Sequence, residues 1–208
     1  MTLAWCLIGS YLLGGIPFGL IVAKLLRGVD IRRLGSGNIG ATNVLRAVGW
    51  KGGVLVLLLD ALKGFLPVLL TKAMLGSPLA AILAGLAAML GHSFSPFLRF
   101  TGGRGVATGL GVVLALSWKA GGCAFGLALL LMCAFRYVSL GSIVGAAALP
   151  FLMALFKAPS EYVIFAALAA TLIILRHLPN IRRLRAGTES KLGEKRAVET
   201  APEADETD

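Results

Sequence analysis

Residues 34–46 read LGSGNIGATNVLR, and Gly35, Gly37 and Gly40 satisfy the G-x-G-x-x-G pattern of a dinucleotide-binding α/β fold. Asp60 even follows near the position of a ribose-binding acid. That pattern carries its meaning only between a strand and a helix of a βαβ unit. What precedes it here is VDIRR, and Asp60 lies in the apolar run LLLDALKGFL. The dinucleotide fold is therefore rejected, and the stretch becomes a polar loop between apolar segments.

The surrounding chain supports this reading. Of its 208 residues, 57% are hydrophobic and 14% are charged, against about 25% charged in an ordinary soluble domain. Mean hydropathy is +0.85. Seven apolar runs, 3–26, 52–71, 77–98, 105–118, 121–135, 141–156 and 159–175, approach the roughly 20 residues that a membrane span needs. The fourth to sixth are short, and a break at Lys119-Ala-Gly-Gly could join the fourth and fifth into one hairpin. The N-terminus has no basic stretch before its first run and reads as a retained span, not a cleaved leader.

Charge segregation orients the spans. Counting Lys24, loops 27–51, 99–104 and 136–140 and the C-terminal tail hold sixteen Lys and Arg. The opposite connections hold Lys72, Lys119 and Lys157, and Lys63 sits inside the second run. The basic side is the cytoplasmic one by the positive-inside rule. An all-α, seven-helix polytopic membrane protein follows, N-terminus outside and C-terminus cytoplasmic. Residues 1–186 form its membrane domain, and 187–208 a polar tail expected to be disordered. The net charge of +10 then serves topology and lipid headgroups, not nucleic acid. Cys6, Cys123 and Cys133 lie in apolar runs without metal or disulfide spacing.

Every unusual polar segment falls on the basic side. In 34–46, glycines let backbone N–H groups converge on an anion, Ser36, Asn38, Thr42 and Asn43 add neutral donors, and Arg46 can grip phosphate. A flexible linker needs none of these. FTGGRGVATG (100–109) repeats the theme with Gly102, Gly103, Arg104 and Gly105. RYVSLGS (136–142) offers Ser139 and Ser142, although a plain basic helix end looks the same. His92 and His177 sit at inner span ends, where histidines are more often structural than functional. Asp60 and Lys63, three apart, can pair on one helix face, with or without a role in the site.

Absences narrow the chemistry. There are no clustered carboxylates for Mg²⁺, no zinc-ligand spacing, no H-x₄-D dyad and no G-x-S-x-G elbow. Any enzyme here is expected to work without a metal or other cofactor. An anion transporter or channel is the non-enzyme alternative, but polar groups crowd one face instead of the midplane, and no repeat is visible. A structural membrane subunit would not need so many polar inner segments.

Six segments in order, YLLGGIPFGLIVAK, GSGNIGATNVLR, LDALKG, GHSFSPFLRFTGGRGVAT, RYVSLGS and RHLPNIRRLRAGTESK, resemble the bacterial acyl-phosphate:glycerol-3-phosphate acyltransferases over residues 11–191. The resemblance implies seven helices, an outside N-terminus and a bacterial inner-membrane enzyme of phospholipid synthesis. It would transfer a fatty acyl group from acyl phosphate to the 1-hydroxyl of glycerol 3-phosphate, with membrane lipids around it and the active site facing the cytoplasm. By resemblance and position, Ser36, Arg46, Arg104, His177 and Asn180 are assigned to glycerol 3-phosphate, with Ser139 or Ser142 nearby. Asn38, Thr42, Asn43 and the Gly102–Gly105 backbone would cradle acyl phosphate. His177 would orient or polarise the attacking hydroxyl, and His92 would stand behind the site. Arg104 replaces the family's usual lysine; the charge is kept, so activity is expected, with affinity open to change.

Overall fold

The computed structural model describes residues 1–194. Among them there is no strand; of ten α-helices, eight account for the seven apolar runs, and α3 and α10 fall in the polar segments beside them. In order they are α1 (Thr2–Gly15), α2 (Phe18–Arg27), α3 (Ala41–Ala47), α4 (Trp50–Leu75), α5 (Pro78–Ser93), α6 (Val106–Leu116), α7 (Trp118–Phe135), α8 (Val138–Leu155), α9 (Ser160–Arg176) and α10 (Leu178–Arg185).

Local chemistry explains the breaks. Pro17 has no N–H to donate, so the first apolar run divides into α1 and α2 at Ile16–Pro17. Gly28 closes α2 in a left-handed conformation at φ 68°. The Ser77 and Ser117 hydroxyls accept from Ala80 N–H and Ala120 N–H, capping α5 and α7. The break between the fourth and fifth runs thus falls at Ser117, two residues before the expected Lys119, because a side-chain cap starts a helix more sharply than glycines end one.

Four helical units are long and apolar enough to cross a membrane: Thr2–Arg27, Trp50–Leu75, Trp118–Phe135 and Val138–Leu155. A fifth arises if α9 and α10, bent by 59°, count as one span. Helices α5 and α6 are apolar but shorter. Large apolar side chains such as Leu25, Leu130 and Phe151 point outward, as a lipid-facing surface requires.

Small residues let the helices touch backbone to backbone. A Cβ on Gly14 would run into the Ala88 carbonyl and one on Gly91 into that of Tyr11, which fixes α1 against α5. Gly64 and Gly111 do the same for α4 against α6, at Thr108 and Ala61. Such stripes are how helices associate where lipid supplies no hydrophobic drive. The larger buried cluster, including Met89, Val112, Met153 and Phe165, joins α4–α9. A second, smaller cluster of Val22, Ile31, Ile39, Val44 and Val56 holds α2, α3 and the 28–40 loop on α4.

The expected loss of order from residue 187 does not hold for 187–194, which fold back onto the bundle. Leu192 N–H donates to the Arg136 carbonyl at 2.6 Å, and the Arg136 guanidinium donates back to the Leu192 carbonyl at 2.8 Å. The remainder of that segment, 195–208, lies outside the described residues.

Candidate active site

The 34–46 stretch is stapled from within. Asn43 is 2% exposed, and its amide NH₂ faces three carbonyls, of Ile31, Leu34 and Asn38, at 2.9–3.1 Å. Its Oδ1 accepts from Ser36 N–H at 3.1 Å. Asn38 Oδ1 accepts from Gly40 N–H at 2.8 Å, an Asx turn that launches α3. Gly35 and Gly37 take φ of 57° and 69°, the left-handed conformation that glycine adopts without strain. Asn43 therefore has no hydrogen left for a ligand; it shapes the loop that presents Ser36 and Thr42. The Ser36 and Thr42 hydroxyls carry no hydrogen bond among the described residues.

The 102–105 turn is held from outside. Gly103 N–H donates to the His92 carbonyl at 3.1 Å. The Arg176 guanidinium, stacked 5.4 Å from the Phe94 ring centre, donates to the Gly102 and Gly103 carbonyls at 2.9–3.2 Å. Gly105, at φ 78°, turns the chain into α6.

The third component comes from α8, α10 and the folded-back segment. The Glu189 carboxylate accepts from Ser139 Oγ (2.8 Å), Asn180 Nδ2 (2.7 Å) and Arg183 Nε (2.7 Å). Burial opposes its charge, but these three donors outweigh burial and hold Glu189 below the ordinary carboxylate range. Ser139 and Asn180 are thus both in the cluster, and both turn their donors onto this carboxylate. Asn180 Oδ1 stays buried without a partner. Ser142 is nearby on α8, but its hydroxyl donates to the Val138 carbonyl of its own helix at 2.8 Å.

Arg104 makes no hydrogen bond among the described residues. Burial, followed by the like charges of Arg183, Arg46 and Arg176, pushes its guanidinium down to about 10, while Glu189 partly offsets this. It remains a cation at neutral pH, with Arg183, Arg46, Arg176 and the Glu189 carboxylate around it among the described residues. Arg46 reaches the same segment, donating to the Ser190 carbonyl at 3.0 Å. His177 is 2% exposed, and its Nδ1 lies 2.8 Å from the Ile173 carbonyl. A carbonyl only accepts, so Nδ1 carries the proton and Nε2 presents a lone pair.

Sequence reasoning missed Glu189, Arg176 and Arg183. Glu189 sits in RAGTESK, a basic polar run that reads as tail, and only its partners 50 and 9 residues away reveal it. Arg176 and Arg183 read as topology-fixing charges.

The chain matches the family model for glycerol-3-phosphate acyltransferase over residues 4–187. It is 54% identical to glycerol-3-phosphate acyltransferase 2 of Moorella thermoacetica, over 91% of this chain and 97% of the relative. It is 47% identical to the glycerol-3-phosphate acyltransferase of Desulforamulus reducens, over 94% and 98%. Two crystal structures of PlsY (YgiH), an integral membrane glycerol 3-phosphate acyltransferase, superpose at TM-scores of 0.89 and 0.87. They are its glycerol 3-phosphate and lysophosphatidic acid forms, each 43% identical and covering 93% of this chain and 96% of theirs. The match over residues 4–187, with identities of 47–54% along nearly the whole chain and the same fold, places the chain in the glycerol-3-phosphate acyltransferase family.

Proposed function

We propose that this protein transfers a fatty acyl group from acyl phosphate to the 1-hydroxyl of sn-glycerol 3-phosphate, releasing 1-acylglycerol 3-phosphate and inorganic phosphate. The observation that carries it is the set of cations at Arg104, where Arg176 and Arg183 stand with a single carboxylate, Glu189, among the described residues. A partly exposed cluster with that excess of cations among the described residues is a ready site for anions. Two phosphate-bearing substrates supply them. The names of the relatives and the glycerol 3-phosphate form of PlsY agree with this reading.

The seven apolar runs each cross the bacterial inner membrane in this reading, with the N-terminus outside and the site facing the cytoplasm. The sixteen-to-three segregation of Lys and Arg supports that orientation. Short α5 and α6 cross with the loops at their ends, 94–105, which lie against the site instead of lipid.

In the reaction, the hydroxyl oxygen attacks the acyl carbonyl carbon, an ester C–O bond forms, and the bond from that carbon to the phosphate oxygen breaks. Phosphate leaves with the bonding pair, and a phosphate oxygen of a substrate takes the hydroxyl proton. Because the donor is already activated, the protein's part is placement and charge stabilisation. His177 Nε2 accepts a hydrogen bond from the attacking hydroxyl and orients it. Arg104 and Arg46 hold phosphate, with Ser36 and Thr42 as neutral donors. Asn38 and the N–H groups of Gly102, Arg104 and Gly105 line the acyl-phosphate side, the Gly103 N–H being taken by the His92 carbonyl. Ser139 and Asn180 act through Glu189, which fixes α8, α10 and the folded-back segment together. The acyl chain lies between helices, open to lipid.

The test is phosphate release by the purified protein in lipid. Release that requires both acyl phosphate and glycerol 3-phosphate, with lysophosphatidate formed in equal amount, is expected. No release, combined with anion flux in sealed vesicles, would replace the enzyme with a transporter.

A further inference from the structure

Beneath the two glycine-rich walls lies a buried charged cluster to which the reaction above assigns no part. Asp60 and Lys63, on α4, and His92, on α5, are each 2–4% exposed. Lys63 Nζ is 2.8 Å from Asp60 Oδ1, and His92 Nδ1 approaches the same oxygen at 3.9 Å. His92 Nδ1 has no hydrogen-bond partner. Charges are placed inside a membrane bundle only at a cost, so such a group is expected to have work to do.

Each end of this cluster supports a different wall. Lys63 Nζ donates to the Ile16 carbonyl at 2.8 Å and lies over the Phe18 ring at 5.6 Å. It therefore holds the break between α1 and α2, where Pro17 leaves the helix without its usual bond. Helix α2 in turn carries the first wall directly: a Cβ on Gly19 would run into the Ile39 carbonyl. At the other end, His92 is the floor of the second wall. A Cβ on Gly103 would collide with His92 Nε2, and one on Gly102 with the His92 carbonyl.

We propose that Asp60, Lys63 and His92 form a positioning hub that sets the spacing of the two anion-binding walls, with Lys63 fixing the 34–46 loop through α2 and His92 setting the height of the Gly102–Gly103 turn. The hub touches neither substrate. Asp60 faces both partners and keeps them in register. The proposal rests on the acyltransferase reading for its kinetic consequences but not for its structural ones.

Two experiments test it. The first is a double-mutant cycle of Gly103→Ala and His92→Ala, read by melting temperature and by kcat/KM in lipid. Gly103→Ala alone is expected to lose at least about tenfold in kcat/KM, and adding His92→Ala to recover part of the loss by making room for the methyl group. A double variant no more stable and no more active than Gly103→Ala overturns the floor role. The second is the neutral pair Asp60→Asn with Lys63→Gln, which leaves no lone buried charge. It is expected to fold, to raise KM for both substrates about tenfold, to change kcat less, and to leave the pH profile in place. Unchanged KM values in a folded neutral pair overturn the hub, and the cycle decides alone should that pair not fold. A wild-type protein that releases no phosphate removes the acyltransferase reading, whereas the melting temperatures of the cycle still decide the contact.

Discussion

The two glycine-rich walls are alike in composition but are built in opposite ways. The 34–46 loop is held by one of its own residues: Asn43 binds Ile31, Leu34, Ser36 and Asn38, all within twelve positions. The 102–105 turn has no such staple and depends on Arg176, 73 residues away, and on His92 at the end of α5. A wall held from within keeps its shape wherever its helices go. One propped by α5 and α9 is correct only when the bundle is correctly packed, so its geometry reports on assembly.

The sharpest way to break the contrast is at Arg104, the one charge that the propped turn itself delivers. Arg104→Ala is expected to lower kcat/KM by at least about 100-fold, roughly 3 kcal/mol of charge-assisted binding, while Arg104→Lys stays within about tenfold. Steady-state phosphate release checks both, and an active alanine variant removes Arg104 from the site.

Next come the staples. Asn43→Ala leaves three carbonyls and an N–H without partners and is expected to cost about 2–4 kcal/mol. Thermal unfolding should fall, and the damage should stay local, with helix content unchanged by circular dichroism. Arg176→Lys releases at least one of the two glycine carbonyls, because an ammonium lacks the planar fork. It should raise KM for acyl phosphate several-fold at nearly constant melting temperature. Equal effects on stability from the two variants would erase the distinction between an internally and an externally held wall.

Acid offers a smaller test of what joins the walls. Glu189 titrates below the usual carboxylate value of 4.5 in the folded protein. Its contribution is therefore complete above about pH 4.5 and is lost as pH falls through its lowered folded value. Accessibility of a thiol introduced at Ser190 should be flat from neutral pH to about 4.5 and rise only below that, whereas Glu189→Gln should remove the acid step. The smallest effect is expected at Ser142→Ala: its hydroxyl bonds only its own helix, so activity should stay within about twofold. A large loss there would place that hydroxyl on a substrate after all.

Much of this was legible in the sequence where the signal is local. Apolar runs, the Pro17 break and the segregation of basic residues depend on composition and short spacing, and all seven runs are helical. The Asx turn at Asn38 and the glycine conformations at 35 and 37 likewise follow from neighbours. What stayed hidden were pairings between segments of like appearance. Family resemblance and position assign Asn180 to substrate with Ser139 nearby, yet nothing adjacent in sequence tells that both donate to Glu189. Asn43 looked like a donor to substrate because its amide is polar, and only the folded loop shows both of its hydrogens committed.

The sequence by itself determined that this is a helical membrane protein with glycine-rich polar motifs between its apolar runs, because burial in lipid acts on each run separately. Tertiary structure alone decided which of those polar groups remain available. A hydrogen bond, unlike hydropathy, needs a partner at about 3 Å, and for Arg104, Glu189 and His92 the groups that matter arrive from helices far apart in the chain.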